Sequence, residues 1–197
     1  MATALDPRAS AAAAPSHAAV TVEELRERGA ISSLRDEWTR IAAAMRDHGW
    51  TKGPFLAPEW LSVYAASLCN DRGGARLGDF RMLVAHRAGR LVAALPLVVE
   101  RRRLAGVPAR VLRSLSDEHS QRFDLLLDPA HADDGARALV EHLAQARDWD
   151  AVELQVVADG DTAAHALVAA ARAHHLPTGE WASMVSPYLT LPSSAAE

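Results

Sequence analysis

Residues 117–129 read DEHSQRFDLLLDP, in which four acids, a histidine, an arginine and a serine surround the apolar run Leu125, Leu126, Leu127. Asp117, His119 and Asp124 make a candidate acid/base set. On extended backbone, side chains two positions apart point the same way, so Asp117 and His119 would share a side. A carboxylate can then hold an imidazole in the orientation a general base needs. Carboxylate and imidazole also suit zinc or iron, but the run follows no fixed metal-motif spacing and no metal is assigned. A third reading makes the run a polar connection between strands, with Asp124 accepting from loop amides. Glu118 and Gln121 take part under any of these readings.

A second constellation is ERRRLAGVPARVLR, residues 100–113, which sets Arg101, Arg102, Arg103, Arg110 and Arg113 against the single acid Glu100. Guanidinium groups bind phosphate and carboxylate in bidentate fashion. Arg101, Arg102, Arg103 and Arg113 are therefore candidates for gripping an anionic acceptor, such as a nucleotide sugar or an acidic polysaccharide. They could equally contact another domain, or form a charged strand end that discourages edge-to-edge aggregation.

The composition limits which functions are open. The chain has 197 residues, 49% apolar and 23% charged, the balance of an ordinary globular protein. We expect one domain over residues 20–192, between a disordered tail at 1–19 and a polar tail at 193–197. A formal net charge of −4 speaks against a general nucleic-acid binder, which needs a basic excess to track phosphates. The lone cysteine, Cys69, can form no internal disulfide, so a reducing cytoplasm is the expected compartment. It reads as a small, half-buried apolar residue. No apolar run approaches the roughly 18 residues that a membrane-spanning helix needs. The alanine-rich start lacks the basic and leucine-rich regions of a signal peptide.

Several elements must position these residues. Residues 20–25 could be a short strand. In ISSLRDEWTRIAAAMRDHGW, Leu34, Trp38, Ile41 and Met45 form a helical stripe, with Ser32 or Ser33 as cap and Gly49 as stop. PFLAPEWLSVYAASLCN predicts a second helix, with Pro58 in its first turn and Trp60, Leu61, Tyr64 and Leu68 inward. Residues 80–86 and 91–101 predict a hairpin turning at Gly89, with Pro96 marking an edge strand or a bulge. Short strands follow at 111–115 and 123–127. A helix is expected over 132–147, a strand over 151–157, a helix capped by Asp161 and running to about His175, and a last strand within 179–191. The predicted class is therefore α/β or α+β, a sheet with helices packed on it.

Taken in order, PFLAPEWLSVY, LVAHRAGRLVAALPLVVERRR, VLRSLSDEHSQRFDLLLDP, WDAVELQVV and SPYLTLP resemble the N-terminal half of the CelD/BcsL-like group. That group belongs to the GNAT superfamily and is associated with cellulose and other exopolysaccharide biosynthesis. The resemblance spans residues 21–192. It implies a mixed, mostly antiparallel sheet flanked by helices. It implies an acyltransferase, moving an acyl group from acetyl-CoA to an amine or hydroxyl acceptor, with a small-molecule or saccharide acceptor. It also implies a FemAB-type tandem, in which a second GNAT-like domain usually carries the donor site; the alternatives are a homo-oligomer or a non-catalytic interaction module. In such a domain the coenzyme pyrophosphate rests on the helix after the central strand, in a glycine-rich loop. The matching residues here, DPAHADDGARA, offer Gly135 but also Asp128, Asp133 and Asp134. An acid ~4 Å from a phosphate costs about 1 kcal/mol in water and about 4 at partial burial. We therefore expect no acetyl-CoA bound to this chain alone.

Overall fold

The computed structural model describes residues 19–50, 54–69, 78–117, 120, 122–183 and 185. It is a mixed α/β fold in which helices flank a six-stranded, mostly antiparallel sheet. The strands are β1 (Val20–Leu25), β2 (Asp79–Arg87), β3 (Arg90–Leu104), β4 (Val107–Ser114), β5 (Leu126–Leu127) and β6 (Ala151–Glu153). β1, β2, β3, β4 and β6 lie side by side in that order, and β5 pairs with β3. Only β4 and β6 run parallel.

β2 and β3 form the expected hairpin. Ala88 and Gly89 both have positive φ, 49° and 75°. That is the backbone a two-residue turn needs to match strand twist, and it explains the glycine. Of the two readings Pro96 left open, the edge is corrected and the bulge is found: Pro96 sits inside β3, opposite Met82, in an interior strand, and β3 carries an extra residue, Val92, between the partners of Ala85 and His86. The N–H that Pro96 lacks falls where β3 changes neighbours. Ala93 and Ala94 pair with β5, whereas residues 97–104 pair with β4. The Pro96 carbonyl is still used, accepting from Leu115 N at 3.1 Å. The ladder therefore loses nothing at a point where it was already interrupted.

The same interruption shortens two predicted strands. Residues 123–125 find no ladder on β3; Phe123 N donates instead to Val156 O at 3.0 Å, and only Leu126 and Leu127 pair. The strand expected over 151–157 ends at Glu153, because Gln155 N turns to the Ser114 hydroxyl and Val156 adopts φ +51°. No strand is found in the described part of 179–191.

The helices are α1 (Ala30–Ser33), α2 (Arg35–Asp47), α3 (Pro58–Leu68), α4 (Ala132–Gln145) and α5 (Thr162–Ala173). The single first helix predicted from sequence is divided at Leu34, and neither serine caps α2; Ser33 Oγ donates to Ala30 O. Its apolar stripe is buried as expected: Trp38, Ile41 and Met45 are essentially inaccessible, and Trp38 Nε1 donates to Leu56 O at 2.7 Å. Asp161 caps α5 by accepting from Ala164 N at 2.8 Å. α4 packs on the sheet through Gly135. A Cβ there would lie 3.0 Å from Leu127 Cδ1 and 3.2 Å from Ala93 Cβ. Glycine thus permits a close approach of helix to strand at the cross-strand pair that ends the central ladder.

Candidate active site

The polar run opening the sequence reading leaves the sheet where β4 ends. Ser114, Ser116 and Ser120 are buried there. The Ser114 and Ser116 hydroxyls lie 2.9 Å apart, and Arg113 Nη2 donates to Ser116 O at 3.2 Å. These bonds satisfy polar groups that would otherwise be stranded at the break in the ladder.

Asp117 is half-buried and faces α3, where the Tyr64 hydroxyl donates to Asp117 Oδ1 at 3.0 Å. Burial pushes the Tyr64 hydroxyl above the usual tyrosine range; its hydrogen bond with Ser120 opposes this, and the Asp117 carboxylate adds to it. The phenol is thereby held protonated as a donor. Tyr64 stacks on Trp60 with ring centroids 5.0 Å apart, and Phe55 meets Trp60 edge-on at 5.1 Å. Sequence reading placed Trp60 and Tyr64 on a core stripe. It missed the aromatic ladder, because Phe55 precedes α3 in a separate 3-10 turn, Pro54–Leu56, and the carboxylate is 53 residues away from Tyr64. The Tyr64–Asp117 pair could position a hydroxyl or amine group at the polar run.

Asp124 has a different neighbourhood. It is 2% exposed and accepts from Arg122 Nε at 2.5 Å. The same guanidinium donates to Asp161 Oδ2 at 2.8 Å and to Trp50 O at 3.1 Å. One arginine thus joins the lead-in to β5, the cap of α5 and the segment after α2. This arrangement holds Asp124 as part of a buried ionic junction. His119, Glu118 and Gln121 lie outside the described residues. Among the described residues, no three His, Cys, Asp or Glu side chains converge to hold a metal ion.

The four arginines expected to bind an acceptor separate. Arg102 and Arg113 face one side of the β3–β4 ladder with Glu100 and Glu153. Arg102 is hydrogen-bonded to Glu153, and Arg113 Nε lies 3.8 Å from Glu100. Arg103 Nη1 donates to Gly106 O at 2.6 Å, closing its own turn. Arg101 is exposed on the other side, directly opposite Arg110.

The start of α4 is where the resemblance would put the coenzyme pyrophosphate, and its residues do not fit one. Asp128 caps the turn Pro129–His131 by accepting from Ala130 N at 3.0 Å and pairs with Arg40 at 3.0 Å. Asp134 pairs with Arg87 at 3.0 Å and Arg137 at 2.6 Å, and Arg87 also reaches His131 Nδ1 at 3.1 Å. Asp133 joins Asp134 as the second acid in the first turn of α4. Acids already satisfy the dipole at this helix end, and they hold the arginines that could otherwise bind phosphate.

Two expectations follow. Arg122→Leu leaves Asp124 and Asp161 buried without their cation and should destabilise the fold by about 3–5 kcal/mol; an unchanged urea midpoint would refute the junction. Tyr64 contributes stability that is intact below its unfolded value, near ~10, and is lost as pH rises through the higher folded value. Tyr64→Phe should therefore flatten the alkaline limb of the stability curve, measured by urea melts across pH 8 to 11. A wild-type limb retained in the variant would show that other groups set it.

No family model matches the chain, and no curated protein matches it. Among solved structures, a soil-metagenome aminoglycoside acetyltransferase in complex with sisomicin is 18% identical, with a TM-score of 0.46, over 88% of this chain and 97% of its own. The ribosomal-protein-alanine N-acetyltransferase of Brucella melitensis biovar Abortus 2308 is 16% identical, with a TM-score of 0.47, over 86% and 99%. A possible acetyltransferase from Clostridium difficile 630 is 10% identical, with a TM-score of 0.48, over 87% and 99%. Similarity this distant carries no residue role or activity to the present chain.

Proposed function

We propose that this chain is a GNAT-type acyltransferase domain serving as the acceptor-binding or scaffold half of a CelD/BcsL-like protein. The acyl donor, acetyl-CoA, is then held by a second GNAT-like domain. The observation that carries the division of labour is the start of α4, where Asp128 and Asp134 are neutralised by Arg40, Arg87 and Arg137. A pyrophosphate placed there would have to displace acids from their own arginines. The acceptor side of the reading rests on the Tyr64–Asp117 pair beside the polar run. Its role is to bind and orient an amine or hydroxyl, and much of the rate in a two-substrate transfer comes from such positioning. His119, two residues on from Asp117, remains the candidate base. The complete protein would act in the cytoplasm, in the biosynthesis of an exopolysaccharide.

A second reading, a non-catalytic interaction module on the same fold, is favoured by the junction that binds Asp124 to Arg122 and Asp161. It leaves one of the three acid/base candidates committed to packing. Calorimetric titration of acetyl-CoA into the chain tests the first reading. No saturable binding is expected up to about 1 mM, a free-energy level near −4 kcal/mol. Micromolar binding would place a donor site on this domain and overturn it.

A further inference from the structure

β3 outruns its neighbours. β2 pairs with it only as far as Val99, and β6 pairs with β4 only at 111–113. Residues 101–109 therefore pair with no third strand and project as a two-stranded ribbon, turning at Ala105 and Gly106 with φ 48° and 85°. Most of its residues are exposed, and Val107 at the tip is 65% exposed.

The ribbon is amphipathic. Register sets Leu104 opposite Val107 and Arg102 opposite Ala109, so Leu104, Val107 and Ala109 share one face with Arg102, which pairs with Glu153 and leaves Leu104 and Val107 as the apolar tip. Arg101, Arg103 and Arg110 lie on the other. Arg101 and Arg110 stand directly opposite each other, and like charges in that position repel. Arg110 is partly offset by Asp150 at 3.6 Å, whereas Arg101 has no ion-pair partner among the described residues. Residues 100–110 carry four arginines and one glutamate, a charge of +3 on a chain whose total is −4. The exposed apolar tip gains from leaving water, and the arginines beside it gain from an anionic partner. The ribbon suits a surface that is apolar below and anionic above.

We propose that this hairpin docks the protein on an anionic phospholipid surface. Leu104 and Val107 enter the interface at the tip, while Arg101, Arg103 and Arg110 bind lipid phosphates and carboxylates. A soluble polyanion would satisfy the arginines alone and leave Val107 exposed, so the apolar tip favours the lipid surface. The site is independent of any acyl-transfer reading. It lies at the far end of β3 from the strand's contacts with β5 and the start of α4.

Sedimentation of the full chain with phosphatidylcholine vesicles containing 30% phosphatidylserine tests the proposal. The expected result is binding to these vesicles and none to pure phosphatidylcholine, falling at least tenfold in each of two variants, Val107→Asp and Arg101→Glu with Arg103→Glu. Both changes are at exposed positions, and retained circular dichroism and melting temperature confirm folding. Arg101→Lys with Arg103→Lys should keep binding, and so should Val63→Ser, which removes an equally exposed valine on α3. Absence of vesicle binding overturns the proposal, as does full binding by Val107→Asp. Binding to dextran sulfate without binding to vesicles overturns it in favour of a soluble polyanion.

Discussion

The arrangement of this fold depends on how charge is neutralised where α4 begins. Arg40, from α2, pairs with Asp128 and also donates from Nη2 to Leu91 O at 3.0 Å. Glu37, one turn earlier in α2, accepts from Leu91 N at 2.6 Å. Arg87, at the end of β2, pairs with Asp134 inside α4. Helix, hairpin and crossover thus meet in one set of charge-assisted bonds, which are stronger than neutral ones. Leu91 N and O and the Arg87 guanidinium, all at the β2–β3 turn, find partners from α2 and α4. The helix end is consequently filled from within.

A second constraint is the split of β3. Its edge serves β5 at Ala93 and Ala94 and β4 from Leu97 onward, and Pro96 lies between them. The chain between β4 and β5 has no ladder to follow. Its described residues find partners one by one: Leu115 N on Pro96 O, Phe123 N on Val156 O, and Arg122 on Asp124, Asp161 and Trp50 O. This is why polar residues cluster in a segment bounded by buried strands. It is also why a serine-rich, acidic run can be structural at Asp124 and open to chemistry at Asp117.

Much of the architecture was legible in the sequence. The stripe of Trp38, Ile41 and Met45, the turn at Gly89, Pro58 in the first turn of α3 and the cap at Asp161 each rest on local rules, and each holds. What was not legible is non-local. Pro96 left an edge or a bulge open while its neighbours were unknown, and only the bulge is found; the second hairpin at Ala105 and Gly106 was hidden because residues 100–110 read first as a charge run. The start of β5 at Leu126 depends on what β3 leaves unpaired, and the end of β6 at Glu153 on the Ser114 hydroxyl that takes Gln155 N. At the site, the sequence grouped Asp117, His119 and Asp124 in one set, yet it could not show that Asp117 faces Tyr64 and Asp124 faces Arg122. Nor could it show which face each arginine takes, since that follows from the register of Arg101 with Arg110.

The central claim is that the charges at the start of α4 are committed to one another. A double-mutant cycle on Arg40 and Asp128, read by urea unfolding of Arg40→Ala, Asp128→Ala and the double variant, measures that commitment. The predicted coupling energy is about 1–3 kcal/mol, with the double variant less destabilised than the sum of the single ones. Additivity within about 0.5 kcal/mol would contradict the account and leave this helix end open to a phosphate.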